Sequence, residues 1–421
     1  MANEHDVHAP CRRNLDIILG VARRVANEPR LDPLLACIAG ETCNLLDAER
    51  ATLFLYDAKA HELYSRVATH SEIEVIRFPA DRGIAGSAAR DKACLIINDA
   101  YADPRFNPEV DRSTGWRTRN ILAIPMTNLD GQLVGILEAL NKRDGPFTEQ
   151  DSRLATALAA QAGVAVERAR LIEEQLAKRG LEKEMELARD IQAGLLPQSP
   201  PQLKGFEMAG WSRPSDYAGG DFFDIFEWGD GRVGLMLGDA VGHGVGPALL
   251  AAEVRALVRA LALREPSPNV VLCDTNRLLA CDVTEGRFVT LALAALDGAT
   301  GIVSYASAGH GPLLALRASG ECQEFESTGL PLGILPEAPF KLGAPIPLQR
   351  GDALLLLSDG IFECETRSGV DLGIEPVIAA ARAHLGESAA AVLKGVEDLT
   401  DSVSPTGRFR DDRTAVVAKR V

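Results

Sequence analysis

The chain has 421 residues, 46% hydrophobic and 24% charged, a balance that suits an ordinary globular protein and is long enough for two or three domains. Its net charge of −15 argues against a general nucleic-acid or anionic-membrane binder, since both need a basic face. Protein and cation partners remain open.

The N-terminal stretch "MANEHDVHAPCRRNLD" lacks the apolar segment of a signal peptide. The longest apolar runs, such as "ALLLL" at Ala353–Leu357, are far too short to cross a bilayer. The eight cysteines are scattered, with no C-x-x-C pair and no zinc-like spacing, and read as reduced thiols of a cytoplasmic protein.

From about Leu15 to Ala48 the apolar spacing is helical. Short apolar or alternating segments follow: "RATLFLYD", "ELYSRVAT", "CLIIND", "NILAIPM" and "QLVGILEAL", each bounded by Gly, Pro, Asn or Asp as strands are. This pattern predicts an α+β domain around one antiparallel sheet, over about Leu15–Ala169.

Thr148–Leu196 contains no proline and is rich in Ala, Leu, Glu, Arg and Lys, which predicts one long helix or two nearly collinear ones. Leu158, Ala162, Ala165, Ala169, Ile172 and Leu176 recur at spacings of four and three, as in a coiled-coil seam. The seam slips at Arg179–Gly180 and resumes through Leu181, Met185, Ala188, Ile191 and Leu195. We read it as the stalk of a homodimer in preference to a helix packed on its own domain, with the slip as a hinge.

"LLPQSPPQ" ends this helix and opens a third region, residues 197–421. Here "FEMAGW", "RVGLMLGD", "FVTLALAALD", "GIVSYASAG", "ALLLLSDG" and "TAVVAKR" read as strands, and "LDGATG" as a hairpin turn. Helices fit Val245–Leu263, Pro268–Ala280, Ile374–His384 and Ser388–Ser402. The expectation is α+β again, with enough strands for two packed sheets flanked by helices.

Four acidic positions of one kind lie in this region: Asp221 in "AGGDFFD", Asp239 in "LGDAVGHG", Asp359 in "LLLLSDG", and Asp411–Asp412 in "FRDDRT". A single Asp at a strand end is ordinary turn chemistry. Several such carboxylates brought together would repel one another and need a cation to stay ionised. All-oxygen donors suit Mn²⁺ or Mg²⁺, and two such ions roughly 4 Å apart can activate a water for in-line attack on phosphorus.

The ordered set "GGDFFD", "GDAVGHG", "SAGHGP", "GLPLGI", "LLLLSDG", "DDRT" resembles the sporulation-stage-II-E branch of the metal-dependent PPM, or type-2C-like, serine/threonine protein phosphatases, from about Leu187 to Val421. The resemblance implies two antiparallel sheets between helices, an αββα sandwich. It implies that Asp239 bridges two Mn²⁺ or Mg²⁺ ions with help from the Ala240 carbonyl, that Asp221 binds one ion, and that Asp359 and Asp411 bind the other. Asp412 stands where other type-2C phosphatases usually have Asn, so the choice between Asp411 and Asp412 stays open. Many relatives place a His two positions after the bridging Asp, but that position here is Val241. His243 is therefore read as a turn-stabilising residue rather than a proton donor, and His310 in "AGHGP" as loop-shaping.

The first region resembles a GAF domain through "DRGIAGSAARDKACLIINDAYADPRF", "ILAIPM", "GQLVGILEALNK" and "FTEQDSRLATALAAQAGVAVERA". Asn141, Lys142, Phe147 and Asp151 fit most of the signature of cyclic-nucleotide-binding GAF domains, with Ser152 where that signature has Glu. We read Lys142 and Asp151 as a structural ion pair and Cys94 as a buried small residue.

Together these readings describe a GAF sensor, with an unidentified small ligand left open, that controls hydrolysis of phosphoserine or phosphothreonine on a partner. The resemblance implies an anti-sigma-factor antagonist as that partner. A metal-poor pseudophosphatase that only docks partners, and a phosphatase of small phosphoesters, are the rival readings.

Overall fold

The computed structural model describes residues 27–68, 76–197, 199–283, 286–366, 369–403 and 409–421. The expected helical stretch before residue 27 lies outside them. The chain divides into two compact units, the second running Leu181–Val421.

The first unit is built on a six-stranded antiparallel sheet of order β3-β2-β1-β6-β5-β4. Its strands are β1 Ala48–Asp57, β2 Glu62–Ala68, β3 Arg77–Pro79, β4 Leu95–Ile97, β5 Ile121–Thr127 and β6 Leu133–Lys142. Side-chain alternation gives the sheet two apolar faces. Leu53, Leu55, Leu122 and Ile124 pack with the Leu31–Leu46 helix and the start of the Glu149–Leu195 helix. Phe54, Ile121 and Ile136 face the other way, onto Ile84 and Ala88 of the Gly83–Asp91 helix. β3 and the Gly83–Asp91 helix were not anticipated, because "RFP" and "GIAGSAARD" are too short and too rich in small residues to show a period.

The predicted long helix is continuous over Glu149–Leu195. Its first half overturns the stalk reading. Leu158 is 2% exposed, Ala162 and Ala169 are fully buried, and all three belong to the core of the first unit. Small residues let the helix lie hard against the sheet: a Cβ on Gly163 would stand 2.2 Å from the Thr127 carbonyl oxygen. A spacing of four and three describes any helix that buries one stripe, whatever covers it. The later seam residues differ, since Leu176, Leu181 and Ile191 are 60%, 55% and 60% exposed.

The second unit holds two five-stranded sheets. One has the order β14-β11-β10-β9-β8, from β8 Asp221–Glu227, β9 Val233–Ala240, β10 Val289–Leu296, β11 Ile302–Ala308 and β14 Ile346–Pro347. The other has the order β13-β12-β15-β16-β7, from β7 Phe206–Arg213, β12 Leu313–Leu316, β13 Cys322–Phe325, β15 Ala353–Leu357 and β16 Arg413–Arg420. Phe223, Leu235, Leu237 and Ala294 from the first sheet meet Leu313, Leu354, Leu356 and Val416 from the second. Helices Val245–Ala262 and Pro268–Asp282 cover one outer face, through Val254, Val258, Val271 and Leu272. Helices Ile374–Ala383 and Ala389–Val403 cover the other, against Leu355, Leu357 and Val417. "ALLLL" shows no alternation because both faces of β15 are buried.

Candidate functional site

β8 begins at Asp221 and β9 ends just after Asp239, and the antiparallel register sets these two residues directly opposite each other. Two carboxylates at paired positions cannot diverge far. Asp221 is 5% exposed and its Oδ2 has no hydrogen-bond partner. Burial first, then the charge of Asp239, drives its pKa well above the ordinary carboxylate range; the Thr414 and Ser358 hydroxyls only partly oppose this. Asp239 is raised to about 7 by burial and by the charges of Asp359, Asp411 and Asp412. Asp411 is raised too, by burial first, with Asp359 and Asp412 adding to it and His243 opposing.

Asp359 opens the short Asp359–Phe362 helix after β15, and Asp411 and Asp412 precede β16. The fold therefore gathers the four expected acidic positions at one end of the sandwich. Among the described residues no three His, Cys, Asp or Glu side chains already converge tightly enough to chelate an ion unaided.

Backbone packing around the site is very close. A Cβ on Gly219 would lie 1.8 Å from Asp412 Oδ2, and one on Gly220 would lie 2.2 Å from the Ala240 carbonyl oxygen and 2.6 Å from Asp239 Oδ1. The glycines after Asp239 serve a different end: Gly242 and Gly244 have φ of 100° and 93°, which side chains resist. They turn β9 into the following helix, with Gly244 N–H donating to the Ala218 carbonyl at 3.1 Å.

The two aspartates of "DDRT" are not equivalent. Asp412 is 5% exposed; its Oδ1 accepts from Ser215 N–H at 2.7 Å and Ser215 Oγ at 3.1 Å, and its Oδ2 accepts from Asp221 N–H at 3.3 Å. Asp411 is exposed. His243 is exposed as well. His310 is buried, with Nδ1 2.9 Å from the Thr290 hydroxyl, and Thr290 is the register partner of Asp239. Burial lowers its pKa to about 4, so the ring is neutral at pH 7.

Sequence reading missed the residues that brace this site. Ser358 and Thr414 stand inside quoted motifs, and Ser215 lies just ahead of one. Asp224, fully buried in β8, takes Arg255 and Arg259 at 2.8 Å each. The spacing of those two arginines, four apart on one helix, was the available signal.

The first unit holds a cavity of about 660 Å³, lined among others by Arg50, Phe54, Arg82, Trp116, Glu138 and Leu140. The Arg50 guanidinium stacks 4.3 Å from the Trp116 ring centre. Burial raises Glu138 to about 7. Asn141, Lys142, Phe147 and Asp151 do not line this cavity. Lys142 Nζ pairs with Asp151 Oδ2 at 2.5 Å, and Asn141 ties down Arg119 N–H and the Arg117 carbonyl. Cys94 is half-buried and burial raises its thiol pKa.

Two sheets between helices, with aspartates at adjoining strand ends, are the architecture of a PP2C-like phosphatase domain. Family comparison agrees: residues 229–421 match Stage II sporulation protein E (SpoIIE), and residues 30–166 match the GAF domain. The chain carries a GAF domain followed by a SpoIIE-type, PP2C-like phosphatase domain. The SiaA-PP2C domain of Pseudomonas aeruginosa superposes with a TM-score of 0.51 at 21% identity, covering 58% of this chain and 98% of that one. The RsbU and RsbW domains of Rv1364c from Mycobacterium tuberculosis align at 28% identity and a TM-score of 0.45, over 53% of this chain and 63% of that one.

Curated relatives include the "Probable 3',5'-cyclic phosphodiesterase pde-5" of Caenorhabditis elegans, 35% identical over 180 residues, or 40% of this chain and 25% of that protein. The "cGMP-specific 3',5'-cyclic phosphodiesterase" of Drosophila melanogaster is 31% identical over 185 residues, or 39% of this chain and 16% of that protein. The chain spans a quarter or less of the length of these relatives. No described helix is long and apolar enough to cross a membrane.

Proposed function

We propose that the chain is a metal-dependent phosphatase of phosphoserine or phosphothreonine on a partner protein, regulated through its GAF domain, with an anti-sigma-factor antagonist as the partner class. The observation that carries the reading is the register pairing of Asp221 with Asp239, one of them buried with an unpartnered oxygen. A buried carboxylate held beside another takes up a proton unless a cation neutralises the pair, and near neutral pH a divalent cation competes for that place. The donor set is all oxygen, which suits Mn²⁺ or Mg²⁺.

In this reading Asp221, Asp239, the Ala240 carbonyl, Asp359 and Asp411 hold two ions, and Asp412 clamps the loop that carries Asp221. Bound there, the ions would supply a water acidic enough to attack phosphorus near neutral pH. Asp239 and Asp221 set the positions of charge, Asp412 and Ser215 keep the Asp221 loop in place, and neutral His310 ties the strand beside Asp239 to its own turn. The 660 Å³ cavity is the place where a small ligand of the GAF domain would sit. In this reading a homodimer would use the exposed later part of the long helix, from Leu176 to Ile191.

The test is Asp239→Asn assayed with Mn²⁺ on a phosphopeptide and on p-nitrophenyl phosphate. The expected result is loss of at least about 100-fold in turnover with an unchanged circular dichroism spectrum. Near-wild-type turnover at saturating Mn²⁺ would overturn the assignment. Wild-type activity on the small ester alone would replace the protein substrate, and inactivity on both would leave a docking module.

A further inference from the structure

Gln192 lies in the last turns of the long helix, inside the second unit. Its Nε2 donates to the Gly219 carbonyl at 2.8 Å, and its Oε1 accepts from the Gly219 N–H at 3.2 Å. One side-chain amide thus grips both polar groups of one backbone residue, the pattern by which paired strands hold each other. Gly219 stands two positions before Asp221. On its other side it is pressed against Asp412, whose Oδ2 would lie 1.8 Å from any Cβ placed there. The same Asp412 oxygen accepts the Asp221 N–H at 3.3 Å.

The segment leading into Asp221 is therefore held from two sides, by a carboxylate of the site and by the end of a helix. The outer face of that end is open to solvent, with Leu187 and Ile191 61% and 60% exposed, while Leu196, just beyond it, packs against the core of the second unit. These two hydrogen bonds are the direct link between the helix end and the Gly219 peptide that precedes Asp221. Asp239 pairs with Asp221 across β8 and β9 and with Thr290 across β10, and Ala240 N–H donates to the Gly220 carbonyl at 3.1 Å, so a pull on Gly219 loads the first ladder positions of β8.

We propose that Gln192 is a positioning residue: it clasps Gly219 and so holds the segment entering β8, and with it the Asp221 end of the Asp221–Asp239 pair. In this way the position of the helix end governs how well the aspartates take up a divalent cation. Its functional consequence rests on the phosphatase reading, whereas the clasp itself does not.

The experiment compares the full-length wild type with Gln192→Ala and Gln192→Glu, and with Arg189→Ala on the exposed part of the same turn as control. Glu retains an acceptor for the Gly219 N–H but sets an oxygen against the Gly219 carbonyl. Three readouts are taken: amide exchange at residues 219–221 in the metal-free chain, the Mn²⁺ binding isotherm by calorimetry, and Mn²⁺-dependent phosphopeptide turnover. Loss of both hydrogen bonds in Gln192→Ala, and of one with a repulsion in its place in Gln192→Glu, corresponds to roughly tenfold faster exchange and roughly tenfold weaker Mn²⁺ binding. The control should match the wild type, and all thermal midpoints should lie within about 3 °C of it.

Wild-type exchange and wild-type Mn²⁺ affinity in the Gln192 variants would overturn the clasp even if the chain is an active phosphatase. Weakened Mn²⁺ binding with no turnover in the wild type would uphold the clasp and remove the phosphatase reading. Unfolding of both variants would make Gln192 a stability contact and overturn the positioning role.

Discussion

At the scale of single residues, three sites carry distinct consequences. Gly219→Ala places a methyl where Asp412 Oδ2 already stands, so the Asp221 loop must move. Overpacking of this kind costs about 1–3 kcal/mol, and urea unfolding should show that loss together with reduced Mn²⁺-dependent activity. Asp224→Ala leaves Arg255, a largely buried side chain, without its partner and should cost about 3 kcal/mol, read by the same titration. Glu138 titrates in the opposite sense to a paired carboxylate. Burial raises it from 4.5 to about 7, so its contribution to stability is full below about pH 4.5 and is lost as pH rises through 7. In a chain with Trp211→Phe and Trp228→Phe, the urea midpoint reported by Trp116 should fall between pH 5 and pH 8. Glu138→Gln should flatten that fall, and an unchanged slope would sink the account.

At the scale of elements, the long helix divides by what covers it. Leu158 sits in the core of the first unit, whereas Leu176, on the same periodic stripe, is 60% exposed. Leu158→Ala should therefore cost about 2–5 kcal/mol, and Leu176→Ala less than about 0.5 kcal/mol, by thermal denaturation. Equal costs at the two positions would contradict this division. A charge at Leu158 tests folding rather than association; Leu176→Arg with Ile191→Arg is the pair that tests a homodimer, by light scattering. β8 teaches a similar lesson. "DFFDIFE" carries three acids, so it stood out as chemistry and not as a strand, yet Asp224 is accommodated by two arginines from the covering helix.

At the scale of the whole molecule, the two units each have their own apolar core. A chain built this way should unfold in two calorimetric transitions, and a small molecule bound in the GAF cavity should raise only the first-unit transition. Divalent cation should act on the other. A single transition shifted equally by both would contradict independent cores.

Most strands and helices were legible in the chain because period, Gly and Pro punctuation and proline-free runs are local signals. The elements around Val245–Ala262 and Ala389–Val403 fall within a residue or two of expectation for that reason. The acidic motifs were legible one by one, as were the donors they offer to a hard cation. What covers a stripe, and which carboxylate lies beside which, are relations between segments far apart in sequence. Leu158 could face its own sheet or a second chain with the same spacing, and only packing against the sheet face at Leu122 and Ile124 decided it. Asp411 and Asp412 are neighbours with identical side chains. Tertiary structure separated them by handing Asp412 to Ser215 and the Asp221 amide, nearly two hundred residues earlier, and leaving Asp411 exposed.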